Sequence, residues 1–368
     1  MSVGKTENCS AHPIHTGWKV PKSRLGKPCK KISTKPHTLE NGTSEMKHGT
    51  RKIRDTMKTL VDVIMDSPHR FLIPTIIQNI STPPFGPVFI NYPDERKGEY
   101  LTHREADEAI KLIRQWKDQP FFIQVSHYAV HTPIQAIQEV ADKYKFKEGM
   151  TETNRKYAAM VESIDDCMRD MLAELKKHGI DDNTLIIFTS DNGGLDRNGG
   201  PTENAPLRSG KGYCYEGGIR VPFLARWPAK IPAGKKSAFP VSSIDLFPTI
   251  MEATGTALPK DRPIDGLSLT NHLNSGGKKF PKRETLIWHF PHYRHAPGPY
   301  SIIRKGDFKL IKFWEGIYEL YDLKNDLGEA NNLAENKPGL VKKLESELIA
   351  HLKKDGAKLP IHNPEFRK

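Results

Sequence analysis

The stretch from Thr184 to Gly218 reads TLIIFTSDNGGLDRNGGPTENAPLRSGKGYCYEGG, and it decides how the rest of the chain is interpreted. The apolar run over Thr184 to Thr189 predicts a buried strand, which stops abruptly at Ser190-Asp191-Asn192-Gly193-Gly194. In open α/β sheets, ligands bind outside the carboxyl ends of the strands. We therefore expect a binding site where this strand ends.

The polar side chains at this strand end suit a hard cation. Asp191 supplies a carboxylate and Asn192 an amide oxygen, which are ligands for Ca²⁺ or Mg²⁺ rather than for a soft metal. An Asp-Asn-Gly sequence after a strand is also common in simple turns, and that alternative stays open. Lys211, in the glycine-rich segment RSGKGYCYEGG, supplies an ammonium group for an anion held by the metal.

Two helix and strand units precede this site. An amphipathic helix over about Arg104 to Trp116 is followed by the apolar run FFIQV, Phe121 to Val125. A longer helix over about Asn154 to His178 leads into the Thr184 strand. This succession predicts an α/β fold with a mainly parallel central sheet flanked by helices. The apolar face expected for the longer helix comprises Tyr157, Met160, Val161, Ile164, Met168, Leu172 and Leu175.

The first of the two strands leads into the segment SHYAVHTP, which contains two histidines. His131 lies just past the strand end, and Pro133 stiffens the loop that carries it. A histidine here can donate a hydrogen bond to an anionic oxygen or act as a general acid, although a structural role is the alternative. His127 is a second candidate, ranked lower because no flanking residue fixes its geometry.

The C-terminal part has a different pattern. Ile219 to Trp227 predicts a strand, and Asp245 is expected to cap the helix that follows it rather than to take part in chemistry. Alternation over Tyr300 to Ile311, with a turn at Lys-Gly-Asp, predicts a hairpin. An amphipathic helix over about Pro338 to Lys353 completes a small C-terminal antiparallel sheet with a helix.

The charge of the chain is concentrated at its beginning. The 368 residues carry a net charge of +12, and residues 1–58 hold 13 Lys/Arg against 4 Asp/Glu. This polar stretch predicts a poorly ordered tail rather than a nucleic-acid-binding surface.

The sequence contains no run of about 18 apolar residues, so no membrane span is predicted, and no apolar segment of a secretory signal is visible near Met1. Localisation and oligomeric state stay open.

Several motifs together carry a family resemblance. In chain order they are His131-Thr132-Pro133, Ser190-Asp191-Asn192-Gly193-Gly194, Leu207-Arg208-Ser209-Gly210-Lys211-Gly212, Tyr215-Glu216-Gly217-Gly218-Ile219-Arg220-Val221-Pro222 and Ser243-Ile244-Asp245-Leu246-Phe247-Pro248-Thr249. The chain resembles the arylsulfatase-type sulfatases of the alkaline phosphatase superfamily. The resemblance runs from about Glu99 to the C-terminus, and it suggests three regions: an atypical basic region over 1–98, a sulfatase-like catalytic core over 99–285 and a C-terminal subdomain over 286–368.

The resemblance implies roles for individual residues. His131 and Lys211 would contact the sulfate group as catalytic and substrate-binding residues, and Asp191 and Asn192 would be ligands of a divalent cation, usually Ca²⁺, with Mg²⁺ as the alternative. His289, in the aromatic and histidine cluster WHFPHY, is a further candidate for the substrate pocket, with packing between subdomains as the alternative. The implied substrate is a sulfated small molecule or glycan.

Three sequence features of the sulfatases are missing from this chain. Sulfatases use a formylglycine made from the cysteine of C-x-P-S-R or C-x-A-x-R, whereas Cys9 begins C-S-A-H-P and Cys29 begins C-K-K-I-S. Nor is there an early strand ending in paired aspartates or a Gly-Lys-Trp-His segment. We therefore expect the N-terminal third of the usual catalytic domain to be absent or replaced. Without a nucleophile, the remaining groups can only stabilise charge.

Three functions follow from these observations. The first is sulfate ester hydrolysis, the reaction of the family. The second is an inactive relative that binds sulfated ligands through Lys211, His131 and a cation at Asp191 and Asn192. The third, a phosphodiesterase or phosphonate hydrolase of the same superfamily, is disfavoured because the additional Asp/His metal ligands of those enzymes are not found here.

Overall fold

The computed structural model describes residues 18–19, 99–196, 200–293 and 298–362. Apart from Trp18 and Lys19, the predicted basic region over residues 1–98 lies outside the described residues. Those from Tyr100 onward belong to one compact unit. The helices are α1 Leu101–Trp116, α2 Gln138–Asp142, α3 Glu152–Lys177, α4 Glu216–Ile219, α5 Leu246–Ala253, α6 Thr270–Asn274 and α7 Pro338–Lys354. The strands are β1 Trp18–Lys19, β2 Ile186–Thr189, β3 Phe223–Arg226, β4 Thr285–Phe290, β5 Tyr300–Lys305, β6 Phe308–Phe313, β7 Tyr318–Asp322 and β8 Ile361–His362.

Helices α1 and α3 pack together as the predicted amphipathic pair. Helix α3 begins with a capping box in which the Thr151 hydroxyl accepts a 3.1 Å hydrogen bond from the backbone N–H of Asn154. The two helices share a buried cluster of Ala109, Ile113, Met171 and Leu175. No helix in the described part of the chain is both long enough and apolar enough to cross a membrane.

The buried face of α3 is rotated from the predicted one. Val161 was expected in the core, yet it is 48% exposed. Small residues are buried instead, at Ala159, Ser163 and Cys167. They allow the backbones of α1 and α3 to approach closely, and the Cys167 thiol donates to the Thr102 carbonyl at 3.3 Å. The prediction followed side-chain hydrophobicity, whereas the packing of two helices selected the small side chains.

The prediction of a strand over Phe121 to Val125 was wrong. The alternation that suggested it is present, because Phe121, Ile123 and Val125 pack against the α1 and α3 cluster together with Ile186 of β2. The segment lacks a ladder partner among the described residues, so it is not a strand. The only described partner of β2 is β3, and their pairing is antiparallel, with Ile186 opposite Arg226. The described strands therefore show none of the predicted parallel pairs.

The segment between the glycine-rich stretch and β3 also differs from its prediction. The strand expected from Ile219 begins only at Phe223, because residues 216–219 form the short helix α4. By contrast, Asp245 is structural, as expected, although its side chain does not cap helix α5 and instead bonds back to the turn before that helix. Its carboxylate accepts hydrogen bonds from the backbone N–H groups of Ser242 and Leu267, both at 2.9 Å, and pairs with Arg283. Burial alone would raise the pKa of Asp245, but these donors outweigh it and lower the pKa.

The C-terminal region forms the predicted antiparallel sheet with a helix. Strand order is β4-β5-β6-β7, and the hairpin between β5 and β6 places Ile303 opposite Leu310. Its turn contains Gly306 at φ +57°, a conformation that favours glycine. The closing helix α7 also lies where the sequence predicted it.

Both faces of this sheet are covered. Ile303, Leu310 and Leu320 pack against α7 through Leu344 and Leu348. Because neighbouring residues in a strand point to opposite faces, Ile302, Ile311 and Phe313 lie on the other side. There they pack against Cys214 and Tyr215 of the glycine-rich stretch. The stretch that opened the sequence analysis is thus the second layer over the C-terminal sheet.

Candidate active site

The turn that follows β2 presents the two predicted cation ligands. Within it, the Ser190 hydroxyl donates to the Asn192 carbonyl at 2.9 Å, and the backbone N–H of Gly193 donates to the Gly218 carbonyl at 3.0 Å. The first bond closes the turn locally, and the second ties it to the end of the glycine-rich stretch. Asp191 and Asn192 therefore stand on a turn that is fixed by main-chain contacts.

The segment that carries Lys211 packs directly on this turn. We call residues 207–215 the Lys211 loop. The Lys211 backbone N–H donates to the Gly194 carbonyl at 2.9 Å. The Asn204 side-chain amide donates to the Gly194 and Ser209 carbonyls, both at 3.0 Å. The structure thus brings together the two segments for which the sequence predicted a shared site.

Glycine is required where the two segments meet. A Cβ atom on Gly193 would lie 1.7 Å from the Gly217 carbonyl oxygen, and one on Gly217 would lie 2.0 Å from the Ser209 carbonyl oxygen. Real Cβ atoms do not approach backbone so closely, so any side chain here would push the segments apart. The spacing between the cation-ligand turn and the Lys211 loop is therefore set by backbone contact.

The side chains of the predicted site are available to a ligand. Asp191 is exposed, and Asn192 and Lys211 are partly exposed. No described residue forms a hydrogen bond or ion pair with the Asp191 carboxylate or the Lys211 ammonium. A carboxylate and an ammonium that the protein does not pair itself, on two segments joined by backbone hydrogen bonds, can each serve a bound group of opposite charge.

The donor set for a metal is incomplete. Within residues 99–196, 200–293 and 298–362 there is no group of three or more His, Cys, Asp or Glu side chains that could hold a metal ion. Asp191 and Asn192 have the right chemistry for Ca²⁺, which takes six to eight oxygen ligands. Two side chains do not fill that requirement, so the described residues do not fit a complete calcium site.

His131 lies in the exposed loop that follows the extended segment. Its backbone N–H donates to the Tyr128 carbonyl at 2.9 Å, and its Nδ1 lies 2.8 Å from the Thr132 carbonyl oxygen. That second contact requires a proton on Nδ1, which leaves Nε2 as the nitrogen without a described partner. No described contact joins His131 to Asp191 or to Lys211.

His127 is better fixed than the sequence suggested. Its Nδ1 lies 2.8 Å from a carboxylate oxygen of Glu105, and the other oxygen of that carboxylate accepts from the Tyr128 backbone N–H at 3.3 Å. The lower ranking of His127 considered flanking residues only, and the residue that holds its ring is not one of them. Glu105 lies 22 residues earlier on α1, so only the tertiary structure reveals the pairing.

The structure favours the packing alternative for His289. This residue lies on β4, with Nδ1 2.8 Å from the Ser301 hydroxyl and Nε2 3.0 Å from the Lys358 carbonyl oxygen. Its ring stands edge-on to Trp314 at 6.2 Å. Because both ring nitrogens are engaged within the C-terminal sheet and its flanking chain, no nitrogen is left for a substrate.

A buried ionic network behind the Lys211 loop was not predicted. The Lys309 ammonium lies 2.8 Å from Glu329 and 3.1 Å from Glu216, and all three side chains are buried. One sequence signal was present. Lys309 shares a strand face with Ile311 and Phe313, and a charge on an apolar face needs a buried partner. The position of Glu329, far along the chain, could not be read from that pattern.

The described cysteines are unsuited to nucleophilic chemistry. Cys167 and Cys214 are free and buried. Burial raises the pKa of the Cys167 thiol to about 11 and that of the Cys214 thiol to about 12. Because the thiolate is the reactive form, neither side chain is activated. Cys9 and Cys29 lie outside the described residues.

Comparison with known proteins identifies the family. The sequence model of the Sulfatase family matches residues 54–256, more than half of the chain. The chain belongs to the sulfatase family. A second model, described as N-sulphoglucosamine sulphohydrolase, C-terminal, matches residues 209–357 and so covers the Lys211 loop and the C-terminal sheet. The family match begins earlier than the resemblance read from the sequence, which started near Glu99.

Individual relatives agree with this assignment. A sulfatase from Formosa agariphila is 36% identical over 286 residues, which is 70% of this chain and 51% of that protein. The steryl-sulfatase of Rattus norvegicus is 38% identical over 183 residues, 48% of this chain and 30% of that protein. The chain spans about half the length of the first of these relatives and less of the second.

A solved structure is also similar to this chain in its fold. A crystal structure described as Ps i-CgsB in complex with k-i-k-neocarrahexaose superposes with a TM-score of 0.63 at 27% identity, over 81% of this chain and 65% of that one. The α/β sulfatase fold class predicted from the sequence is thereby confirmed, together with its C-terminal antiparallel sheet.

Proposed function

We propose that this chain acts on sulfate esters and that Lys211 and His131 hold the sulfate group. The observation that carries the proposal is the hydrogen bond from the Lys211 backbone N–H to the Gly194 carbonyl, which seats the Lys211 loop on the turn bearing Asp191 and Asn192. The family assignment supports the same chemistry, because sulfatases hydrolyse sulfate esters.

The chemistry of the proposed roles is electrostatic. Hydrolysis of a sulfate ester builds negative charge on the non-bridging and leaving oxygens, and an ammonium group at those oxygens stabilises it. Because the Nδ1 proton is directed at the Thr132 carbonyl, His131 can donate a hydrogen bond to a sulfate oxygen, or protonate the leaving oxygen, only from Nε2 of its doubly protonated ring. We assign Asp191 and Asn192 as two ligands of a divalent cation, Ca²⁺ in preference to Mg²⁺, which would need further oxygen ligands to complete its coordination.

The substrate class we propose is a sulfated glycan. The structural neighbour described above was solved in complex with an oligosaccharide, the neocarrahexaose of its description. A relative from Bacteroides thetaiotaomicron, 29% identical over 277 residues, is an N-acetylgalactosamine-6-O-sulfatase. The steryl-sulfatase match is more identical, at 38% against 29%, but it extends over 48% of the chain against 70%. Length of similarity therefore favours a carbohydrate substrate.

A second function has an observation in its favour. None of the cysteines begins a C-x-P-S-R or C-x-A-x-R motif, and the two described cysteines are buried. A chain with the sulfate-contacting residues but without a formylglycine would bind sulfated ligands and not hydrolyse them. No observation favours the phosphodiesterase or phosphonate hydrolase alternative.

The first experiment measures binding. Inorganic sulfate is titrated into the full chain by calorimetry, alongside a Lys211→Ala variant and a Lys353→Ala variant. Lys353 is an exposed residue in the last turn of α7, so it removes the same charge far from the loop. We expect Lys211→Ala to weaken binding at least about tenfold, since a charge-assisted contact is lost. Equal affinities in all three proteins would contradict the proposal.

The second experiment separates hydrolysis from binding. The chain is co-expressed with a formylglycine-generating enzyme and incubated with a chromogenic aryl sulfate and Ca²⁺, with an aryl phosphate diester as the comparison substrate. Sulfate turnover above that of Lys211→Ala identifies a hydrolase. Sulfate binding without turnover identifies the binding protein, and faster cleavage of the phosphate diester identifies the third class.

A further inference from the structure

The buried ionic network behind the Lys211 loop has no evident value for stability alone. Lys309, Glu216 and Glu329 are all but completely buried. Removing three charges from water is costly, and apolar side chains of similar size would serve the fold equally well or better. Such a network is therefore expected to fix how the segments that carry its three side chains are positioned, rather than to add to the free energy of unfolding.

Glu329 is the centre of this network. One of its carboxylate oxygens accepts from the Lys309 ammonium at 2.8 Å, and the other accepts from the Glu216 backbone N–H at 2.6 Å. Its own carbonyl oxygen accepts from the Arg208 guanidinium at 3.0 Å. Glu329 also has φ +52°, in the left-handed region that residues other than glycine seldom adopt. Such a conformation persists only where surrounding contacts enforce it.

The contacts of Glu329 bracket Lys211. Arg208 lies three residues before Lys211, and Glu216 lies five residues after it. The two sides of this segment are also joined directly, because the Gly217 backbone N–H donates to the Arg208 carbonyl at 2.9 Å. Arg208 is further held by stacking on the Tyr215 ring, 3.7 Å from its centroid, and by a 2.8 Å hydrogen bond to the Tyr321 hydroxyl.

We propose that Glu329 is a positioning residue, which clamps both ends of the Lys211 loop and so fixes the Lys211 ammonium relative to the Asp191 and Asn192 turn. Lys309 is the counter-ion that makes a buried carboxylate tolerable at this place. The inference rests on the proposed function, because it assigns the loop's rigidity to sulfate binding. Glu329 itself does not touch the substrate.

The test compares two double variants in the full chain: Lys309→Met with Glu329→Gln, and Lys309→Met with Glu329→Leu. Both remove the Lys309 ammonium from Glu329 and from Glu216, whose carboxylate keeps the Arg220 guanidinium at 3.7 Å, but only glutamine keeps an acceptor for the Glu216 N–H. Melting temperature and sulfate affinity are measured for each. We expect the glutamine variant to bind sulfate within about threefold of wild type and the leucine variant to bind at least about tenfold more weakly, although both fold.

Other outcomes are equally informative. A folded leucine variant with wild-type sulfate affinity overturns the inference and leaves the proposed function intact. If the leucine variant does not fold, Arg208→Met decides, because it breaks the second contact of the clamp from a partly exposed position. Wild-type affinity in Arg208→Met overturns the inference.

If the wild-type chain itself does not bind sulfate, the proposed function fails. Amide hydrogen exchange of residues 207–218 then tests the clamp alone: faster exchange in Arg208→Met supports it, and unchanged exchange overturns it.

Discussion

The backbone N–H of Lys211 lies 2.9 Å from the carbonyl oxygen of Gly194, so the loop with the predicted sulfate-binding lysine is bonded to the turn with the predicted cation ligands. A main-chain bond fixes the two segments in register without using the side chains that they present. Lys211, Asp191 and Asn192 can therefore remain directed at a ligand while their backbone is held.

Substitution of Gly193 tests this backbone contact. The Cβ of Gly193→Ala would lie 1.7 Å from the Gly217 carbonyl oxygen, so the loop must move. We expect destabilisation of at least about 1–3 kcal/mol, measured by urea unfolding, together with weaker sulfate binding. Gly339→Ala is the control, because its Cβ, near the start of α7, would meet nothing within 4 Å. A harmless Gly193→Ala would contradict the described contact.

Calcium binding should be weak. With Asp191 and Asn192 as the only described ligands, we expect a Kd of about 10⁻⁴ M or above in a calorimetric titration, and no detectable binding by Asp191→Ala. A control substitution at Asp118, which is exposed and pairs with Lys117, should leave the titration unchanged. Submicromolar affinity would show that further oxygen ligands complete the site.

Acid should weaken the link between α1 and α3. The Arg114 guanidinium, hydrogen-bonded to Glu174 at 2.8 and 3.0 Å, lowers the pKa of that carboxyl from 4.5 to about 2. Because the pKa is lower in the folded state, this stabilisation is present above pH 4.5 and is lost as the pH falls toward 2. Stability measured against pH should fall less steeply in Glu174→Gln. Parallel curves for the two proteins would refute this.

The register of α3 can be tested by truncation. Met160 is buried and Val161 is 48% exposed. We expect Met160→Ala to lower the free energy of unfolding by about 2–5 kcal/mol and Val161→Ala by about 0.5 kcal/mol or less. Similar losses at both positions would restore the predicted helix face, which included Met160 and Val161.

The two buried thiols should resist alkylation. With pKa values of about 11 for Cys167 and about 12 for Cys214, the thiolate fraction is very small at neutral pH. Iodoacetamide at pH 8 should leave both residues unmodified in the native protein and label both in urea, as read by peptide mass spectrometry. Labelling of Cys214 in the native protein would contradict its packing against the C-terminal sheet.

The sequence was most informative where periodicity and a local signal agreed. Helix α7 and the hairpin at Gly306 combine a clear apolar period with a proline or glycine at the right place. The structural role of Asp245 was likewise readable, because one of its partners, the Ser242 backbone N–H, lies only three residues away. Its bonds to Leu267 and Arg283 needed the fold.

The sequence was least informative where a residue's role depends on a distant partner. His127 could not be weighed correctly without Glu105, and Lys309 could not be interpreted without Glu329. Phe121 to Val125 shows the same limit for a strand, because alternation reports which side chains are buried but not whether a neighbouring strand supplies hydrogen bonds. The packing of the Lys211 loop on the Asp191 turn could be anticipated because both segments are rich in glycine, which permits close backbone contact.

The double covering of the C-terminal sheet has a practical consequence for dissecting this protein. The boundary near residue 285 invites expression of the C-terminal subdomain alone. Such a fragment would keep α7 over Ile303 and Leu310 but would lose Cys214 and Tyr215 from over Ile302 and Ile311, and Lys309 would lose Glu216. An uncovered apolar sheet face favours aggregation. The piece that looks like a separable module by sequence is therefore expected to require the glycine-rich stretch in the same polypeptide, and the two to melt in a single cooperative transition.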